Sequence, residues 1–248
     1  MQFRSFLAAV PLILAAACSG GGSGGSGNAS APAGSVPVAK APAGTDWLTT
    51  VVKTPEGGMR MGNPDAPIKL IEYGSRTCPV CGAFGREGTQ PLEKNYVATG
   101  KVSWEFREYL VHGQPDIPAA LLGTCVPAAT FFPILEQMYI NQGPVEDKMG
   151  GPEGQALFQK LQSAPPQQVA TEWAALLGYV DFFKQRGLPE DKARACLADA
   201  GKVKQIMDGM NAANAKGVTG TPSFFIDDEK VDAITWPQLE AVLKARGA

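Results

Sequence analysis

The chain has 248 residues, with 22 Lys and Arg against 24 Asp and Glu and a formal net charge of -2. No basic cluster rises above scattered charges, which excludes a nucleic-acid partner or an electrostatic membrane footprint. Once the biased N-terminal tract is set aside, about 200 residues remain, enough for one sizeable domain with its own core.

Met1 to Phe3 with Arg4 make a short positive start, and Phe6 to Ala17 are small and apolar. About a dozen apolar residues fall short of the roughly 20 that span a bilayer, so residues 1–17 read as a secretion signal. Cys18 follows directly. Cleavage before it would make Cys18 a lipid-attachment site, and the Gly/Ser tract from Ser19 to Gly27 has the composition of a flexible tether. Ala15 and Ala17 equally suit ordinary secretory cleavage, which would release a soluble protein. The Ala/Pro/Gly-rich stretch that follows cannot bury enough apolar surface to offset its ordering entropy, so residues 18–44 are expected to be a disordered tether and residues 45–248 the folded domain. The expected location is the periplasm, with a lipid anchor in the membrane.

Ile68 to Tyr73 reads as a buried central strand that carries an acid, Glu72. Cys78-Pro79-Val80-Cys81 follows, at the start of a helix-compatible stretch. Backbone N–H groups of an opening helix turn favour a thiolate, so Cys78 is expected to be the exposed, lower-pKa thiol and Cys81, one turn inside, the resolving one. Gly82, Gly85 and Gly88 weaken that helix and Pro91 should kink it. Val102, Trp104 and Phe106 alternate with polar residues, the pattern of a strand with one face buried. From about 115 to 200 the pattern is helical, broken by prolines and glycines. Val203, Ile206, Met207 and Met210 mark an amphipathic helix. Thr221-Pro222 opens a strand-like run, Ser223 to Ile226, which makes the bond a candidate cis-proline. Val231 suits a short edge strand, and Thr235 with Gln238 forms a capping box for a last helix buried through Leu239, Val242 and Leu243.

The C-P-V-C at a helix start and the distant T-P before a strand, in that order, resemble the thioredoxin superfamily. The lead-in Gly62-Asn63-Pro64-Asp65-Ala66-Pro67-Ile68 and the helical insertion are similar to its DsbA-like branch. The resemblance covers about residues 63–246 and implies an α/β thioredoxin-like fold with a helical insertion. It implies that Thr221, Pro222, Pro79 and Val80 line a groove for an extended substrate, and that Glu72 takes or supplies a proton as Cys81 reacts. It also implies a Cys78–Cys81 redox disulfide and no cofactor. Cys125 and Cys196 are left over in the insertion; in an oxidising compartment they pair, or they stay as buried thiols.

A zinc site would need four ligands, and the sole His, His112, with Cys125 and Cys196 supplies no second half-site. Gly82, not His, follows Cys81, which excludes haem attachment. His112 reads as an ordinary loop histidine. The expected activity is thiol:disulfide exchange in exported proteins, as an oxidant. A reductase or isomerase, or a binding lipoprotein on the same scaffold, are the alternatives. Expected partners are exported proteins with thiols or disulfides and a membrane or periplasmic redox partner, with the chain itself a monomer.

Overall fold

The structure, a computed structural model, describes residues 34–248; the signal segment, Cys18 and the tether as far as residue 33 lie outside the described residues. Strands β1 (Val51–Lys53), β2 (Met59–Met61) and β3 (Ile68–Gly74) come first, then helix α1 (Pro79–Leu92) and β4 (Val102–Glu108). Seven α-helices follow: α2 (Ile117–Cys125), α3 (Phe131–Ile140), α4 (Gln142–Gly150), α5 (Pro152–Lys160), α6 (Pro166–Leu177), α7 (Tyr179–Lys184) and α8 (Glu190–Leu197). Helix α9 (Ala200–Ala215), strands β5 (Ser223–Ile226) and β6 (Glu229–Val231) and helix α10 (Trp236–Ala245) end the chain.

The sheet order is β1-β2-β4-β3-β5-β6. β3 and β4 pair in parallel from Ile68↔Val102 to Gly74↔Glu108, with α1 as the crossover that a parallel pair requires. β5 runs antiparallel to β3, with Tyr73 opposite Ser223. That register delivers Pro222 to the carboxyl end of β3, beside the turn that carries Cys78. Fold class and helical insertion are as the sequence implies.

Four features differ from the sequence reading. β1 and β2 form a hairpin that extends the sheet past β4. Each has three residues, too few for alternation to show, and the turn between them uses Gly57 at φ 88°. β4 is buried on both faces rather than one: Ser103 is 2% and Glu105 8% exposed. Glu105 is accommodated by Arg107 Nε at 2.7 Å and by the Thr54 hydroxyl, which donates at 2.7 Å. Met207 is 39% exposed, and the buried side of α9 is Val203, Ile206 and Ala213.

The fourth concerns the tether. Residues 34–44 do not hang free: Val36 N donates to Gly247 O at 2.8 Å, Ala39 N to Thr99 O at 3.0 Å, and the Trp47 indole to Ala39 O at 2.7 Å. Composition misses such a strap because its contacts are made by main chain. A side chain at Gly100 would collide with Ala39 O.

The glycines of α1 have a packing role. A Cβ at Gly85 would run into the Tyr139 ring of α3, and one at Gly88 would meet Trp236 of α10 at 3.1 Å. Close approach offsets the propensity lost, because Phe84, fully buried against Phe224 at 4.7 Å between ring centroids, contributes about 2 kcal/mol by burial alone. Pro91 lies inside α1, and the winding then widens to a π turn over Glu93–Val97. Gln238 Oε1 accepts from Thr235 N at 3.2 Å, capping α10. Cys125 at the end of α2 and Cys196 in α8 are joined by a disulfide across 71 positions. No helix among the described residues is long and apolar enough to cross a membrane.

Candidate active site

The turn Ser75-Arg76-Thr77 leaves the end of β3 and delivers Cys78 to the N-cap of α1, with Pro79 as the first helical residue. Proline suits that position because its missing N–H has no intrahelical partner there. Cys78 Sγ lies 3.4 Å from Thr221 O, and the Thr221–Pro222 bond is cis. Val80 is 44% exposed beside the sulfur, whereas Cys78 is only 5% exposed. This sulfur is therefore more enclosed than expected, because the Thr221 loop leans over it. The two cysteines are free thiols here, and their environments push them apart. Hydrogen bonding from Cys81, Thr221 and the backbone of the opening turn outweighs partial burial and lowers the Cys78 thiol to about 5. Burial, and then the Cys78 thiolate, push Cys81 well up.

Glu72 is 1% exposed, in the middle of the sheet behind α1. Burial raises it to about 8; the Trp104 indole, which donates to Oε2 at 3.1 Å, pulls the other way. At neutral pH it is a protonated acid whose second oxygen, Oε1, has no protein partner. Ionising Glu72 would raise Cys81 further, and Tyr139, buried with an unpartnered hydroxyl, is pushed up by burial and then by Cys81 and Glu72.

The insertion and the end of β4 complete the site with residues that sequence reasoning missed. Gln142, at the start of α4, donates through Nε2 to Cys78 O at 2.8 Å and Arg76 O at 3.2 Å, stapling the turn to the insertion. Arg76 is buried, paired with Glu108 at 2.8 Å, and stacked 4.7 Å from the centroid of Phe131. Desolvation lifts Glu108 to about 7 despite that partner. His112 is not an ordinary loop histidine. Its Nδ1 lies 2.9 Å from Thr77 Oγ1 and 3.3 Å from Asp116 Oδ1, and the Thr77 hydroxyl donates to the same carboxylate oxygen. His112 is raised by Asp116 first, with Cys78 also contributing. The His-to-Asp spacing of four was the available signal. An open groove of about 890 Å³ begins at Thr77, Pro79 and His112 and runs over Met149, Pro152 and Phe158 of the insertion.

A family profile described as Thioredoxin matches residues 54–245. The chain belongs to the thioredoxin family. A Rickettsia bellii protein, provisionally named a protein-disulfide oxidoreductase, is 24% identical over 192 residues, 77% of this chain and 65% of that one. A second, from Rickettsia felis with the same name, is 26% identical over 71% of this chain and 55% of its own length. The chain thus spans less than two thirds of the length of these curated relatives. Among solved structures, the protein-disulfide isomerase from Novosphingobium aromaticivorans superposes with a TM-score of 0.70 at 27% identity, over 75% of this chain and 95% of that one. Alpha-DsbA1 of Wolbachia pipientis shares the fold, with a TM-score of 0.58 at 22% identity over 77% and 90%. These neighbours share the fold of this chain.

Proposed function

We propose that this protein is an exported thiol:disulfide oxidoreductase of DsbA type that introduces disulfides into other exported proteins. The observation that carries the reading is the opposite tuning of two thiols one helix turn apart, Cys78 down to about 5 and Cys81 well up. The named relatives support the same chemistry.

In the oxidising direction a substrate thiolate attacks Cys78 Sγ of the Cys78–Cys81 disulfide. A mixed disulfide forms and Cys81 departs as a thiolate. Cys81 has a high proton affinity, and the protonated carboxyl of Glu72 is the group in the interior able to supply that proton. A second substrate thiolate then attacks the substrate sulfur of the mixed disulfide, and Cys78 leaves as its stable thiolate. Two electrons stay with the reduced pair, held as the Cys78 thiolate and the Cys81 thiol; Glu72 regains its proton from solvent, and a membrane or periplasmic redox partner must take the electrons back. Thr221 and Pro222 face Cys78 where the main chain of an extended substrate can pair by strand addition, with Pro79 and Val80 on the opposite lip.

The signal-like residues 1–17 support export, and Cys18 followed by a Gly/Ser tract supports a lipid anchor.

The direction of exchange is read from the reduction potential in a glutathione series. A Cys78 thiol near 5 lies between the reducing members of the superfamily at about 7 and the most oxidising at about 3.5, so a potential between about -270 and -120 mV is expected. Failure of the purified protein to reoxidise reduced ribonuclease, with insulin reduction intact, would reverse the assignment to a reductase.

A further inference from the structure

Between Cys78 and Cys81 stand Pro79 and Val80, whose side chains bring neither a charge nor a hydrogen-bond donor to the sulfur. The insertion side of the mouth does bring an ionisable ring. His112 reaches the turn through Thr77, the residue preceding Cys78, and is fixed from behind by Asp116, which is 2% exposed. The Asp116 carboxylate is itself held, accepting from His112 N at 2.8 Å and from the Ser75 hydroxyl at 3.3 Å. With the Thr77 hydroxyl donating to Asp116, its oxygen is left to accept from Nδ1–H of His112, so the ring keeps a proton on that nitrogen.

We propose that His112, fixed by Asp116, is a positioning residue for Cys78: it braces Thr77 and, when protonated, stabilises the Cys78 thiolate from outside the C-P-V-C turn. The titratable groups that face it are Asp116, Cys78 and, from α4, Glu146; all three favour its cation, and burial opposes them. Its side chain is 36% exposed, so solvent screens the effect in the free protein. A substrate lying in the groove that begins at Thr77, Pro79 and His112 excludes that water and strengthens the interaction when exchange occurs.

The inference rests on the reading of Cys78 as the attacking thiolate, but its test requires no turnover, so it can fail while exchange activity stands. The chain contains 1 His, which gives a single imidazole resonance by proton NMR. Linkage is reciprocal: if His112 stabilises the thiolate, the thiolate stabilises the imidazolium. The titration midpoint of His112 should therefore lie about one pH unit higher in the reduced protein than in the Cys78–Cys81 disulfide form. A histidine that only braces the turn would titrate alike in both. His112→Gln, which keeps a donor toward Thr77, should raise the thiolate midpoint of Cys78 by a similar amount, and adding Val80→His to that variant should restore part of the loss. Equal His112 midpoints in the two redox forms, or a Cys78 midpoint unmoved by His112→Gln, would overturn the proposal.

Discussion

The mouth of the site and its interior, one turn of α1 apart, treat the same chemistry in opposite ways. At the mouth, the free N–H groups of the helix turn, Thr221 and Cys81 surround Cys78 with partners that prefer its anion, and the thiol falls to about 5. In the interior, Cys81, Glu72 and Tyr139 share a sealed space in which burial is the leading influence on each, and all three rise. Enclosure alone does not separate the regions, since Cys78 is 5% exposed and Cys81 0%. The count of donors does. Burial is outweighed where several donors converge and decides the outcome where one donor at most is at hand. The two free thiols thus lie across a gradient that favours a thiolate outside and a thiol inside.

Removing either sulfur breaks the comparison outright. Cys78→Ala should abolish both ribonuclease reoxidation and insulin reduction. Cys81→Ala keeps the activated thiolate and removes the resolving one, so it should accumulate mixed disulfides visible on non-reducing gels. Retained turnover in the Cys78 variant would sink the assignment of roles.

The second disulfide lies in neither region, so removing it should sharpen the contrast. Cys125→Ser with Cys196→Ser opens a loop of 71 positions and should lower stability by up to about 4 kcal/mol on the chain-entropy argument, read as an earlier thermal midpoint. The Cys78 thiolate midpoint should not move. A shifted midpoint in that variant would mean that α2 and α8 tune the mouth from a distance.

How much of this was legible follows from what each region is made of. The turn and its two strands write their character locally: β3 is apolar and β-branched, the C-P-V-C begins α1, and Thr221-Pro222 begins β5. The resemblance built on those motifs yields the fold and both thiols. His112, Asp116, Gln142 and Tyr139 reach the site from other elements, and nothing within a few residues of them marks a dithiol. Only packing joins Gln142 to Cys78 O across 64 positions. The strap at 34–44 and the β1–β2 hairpin were hidden for a different reason, being held chiefly by main-chain hydrogen bonds that composition does not record.

The interior predicts a smaller, pH-dependent effect. Glu72 is raised from 4.5 to about 8, so the folded state keeps a proton that the unfolded state has already lost. The sign follows: the group costs no stability below about pH 4.5, and the cost grows as pH rises toward 8 and then levels off. Glu72→Gln removes the ionisable group and can keep the Trp104 hydrogen bond. Its stability relative to the parent should therefore improve by about 3 to 4 kcal/mol between pH 5 and pH 8. Urea unfolding of the two oxidised proteins at both pH values measures it, because the active-site thiols then do not titrate. A pH-independent difference would show that Glu72 ionises normally and could not serve as the proton donor. The same variant should slow the release of Cys81 during substrate oxidation.

The smallest effect tests the mouth. Val80 is 44% exposed beside Cys78, and an imidazolium placed there adds a charge without disturbing the core. Val80→His should lower the Cys78 midpoint from about 5 by less than about one pH unit, because the site is open to solvent and ions. If the whole change were felt by the reduced form, one pH unit would correspond to a tenfold shift in the exchange equilibrium, or about 30 mV toward a stronger oxidant for a two-electron couple. Thiolate absorbance and the glutathione equilibrium report the two quantities independently. Agreement between them would assign the potential to thiolate stabilisation at the mouth. A potential that shifts while the thiolate midpoint stays fixed would instead assign it to strain in the oxidised ring or to the interior pair. In that case the mouth would control how fast Cys78 reacts at low pH but not which way electrons flow.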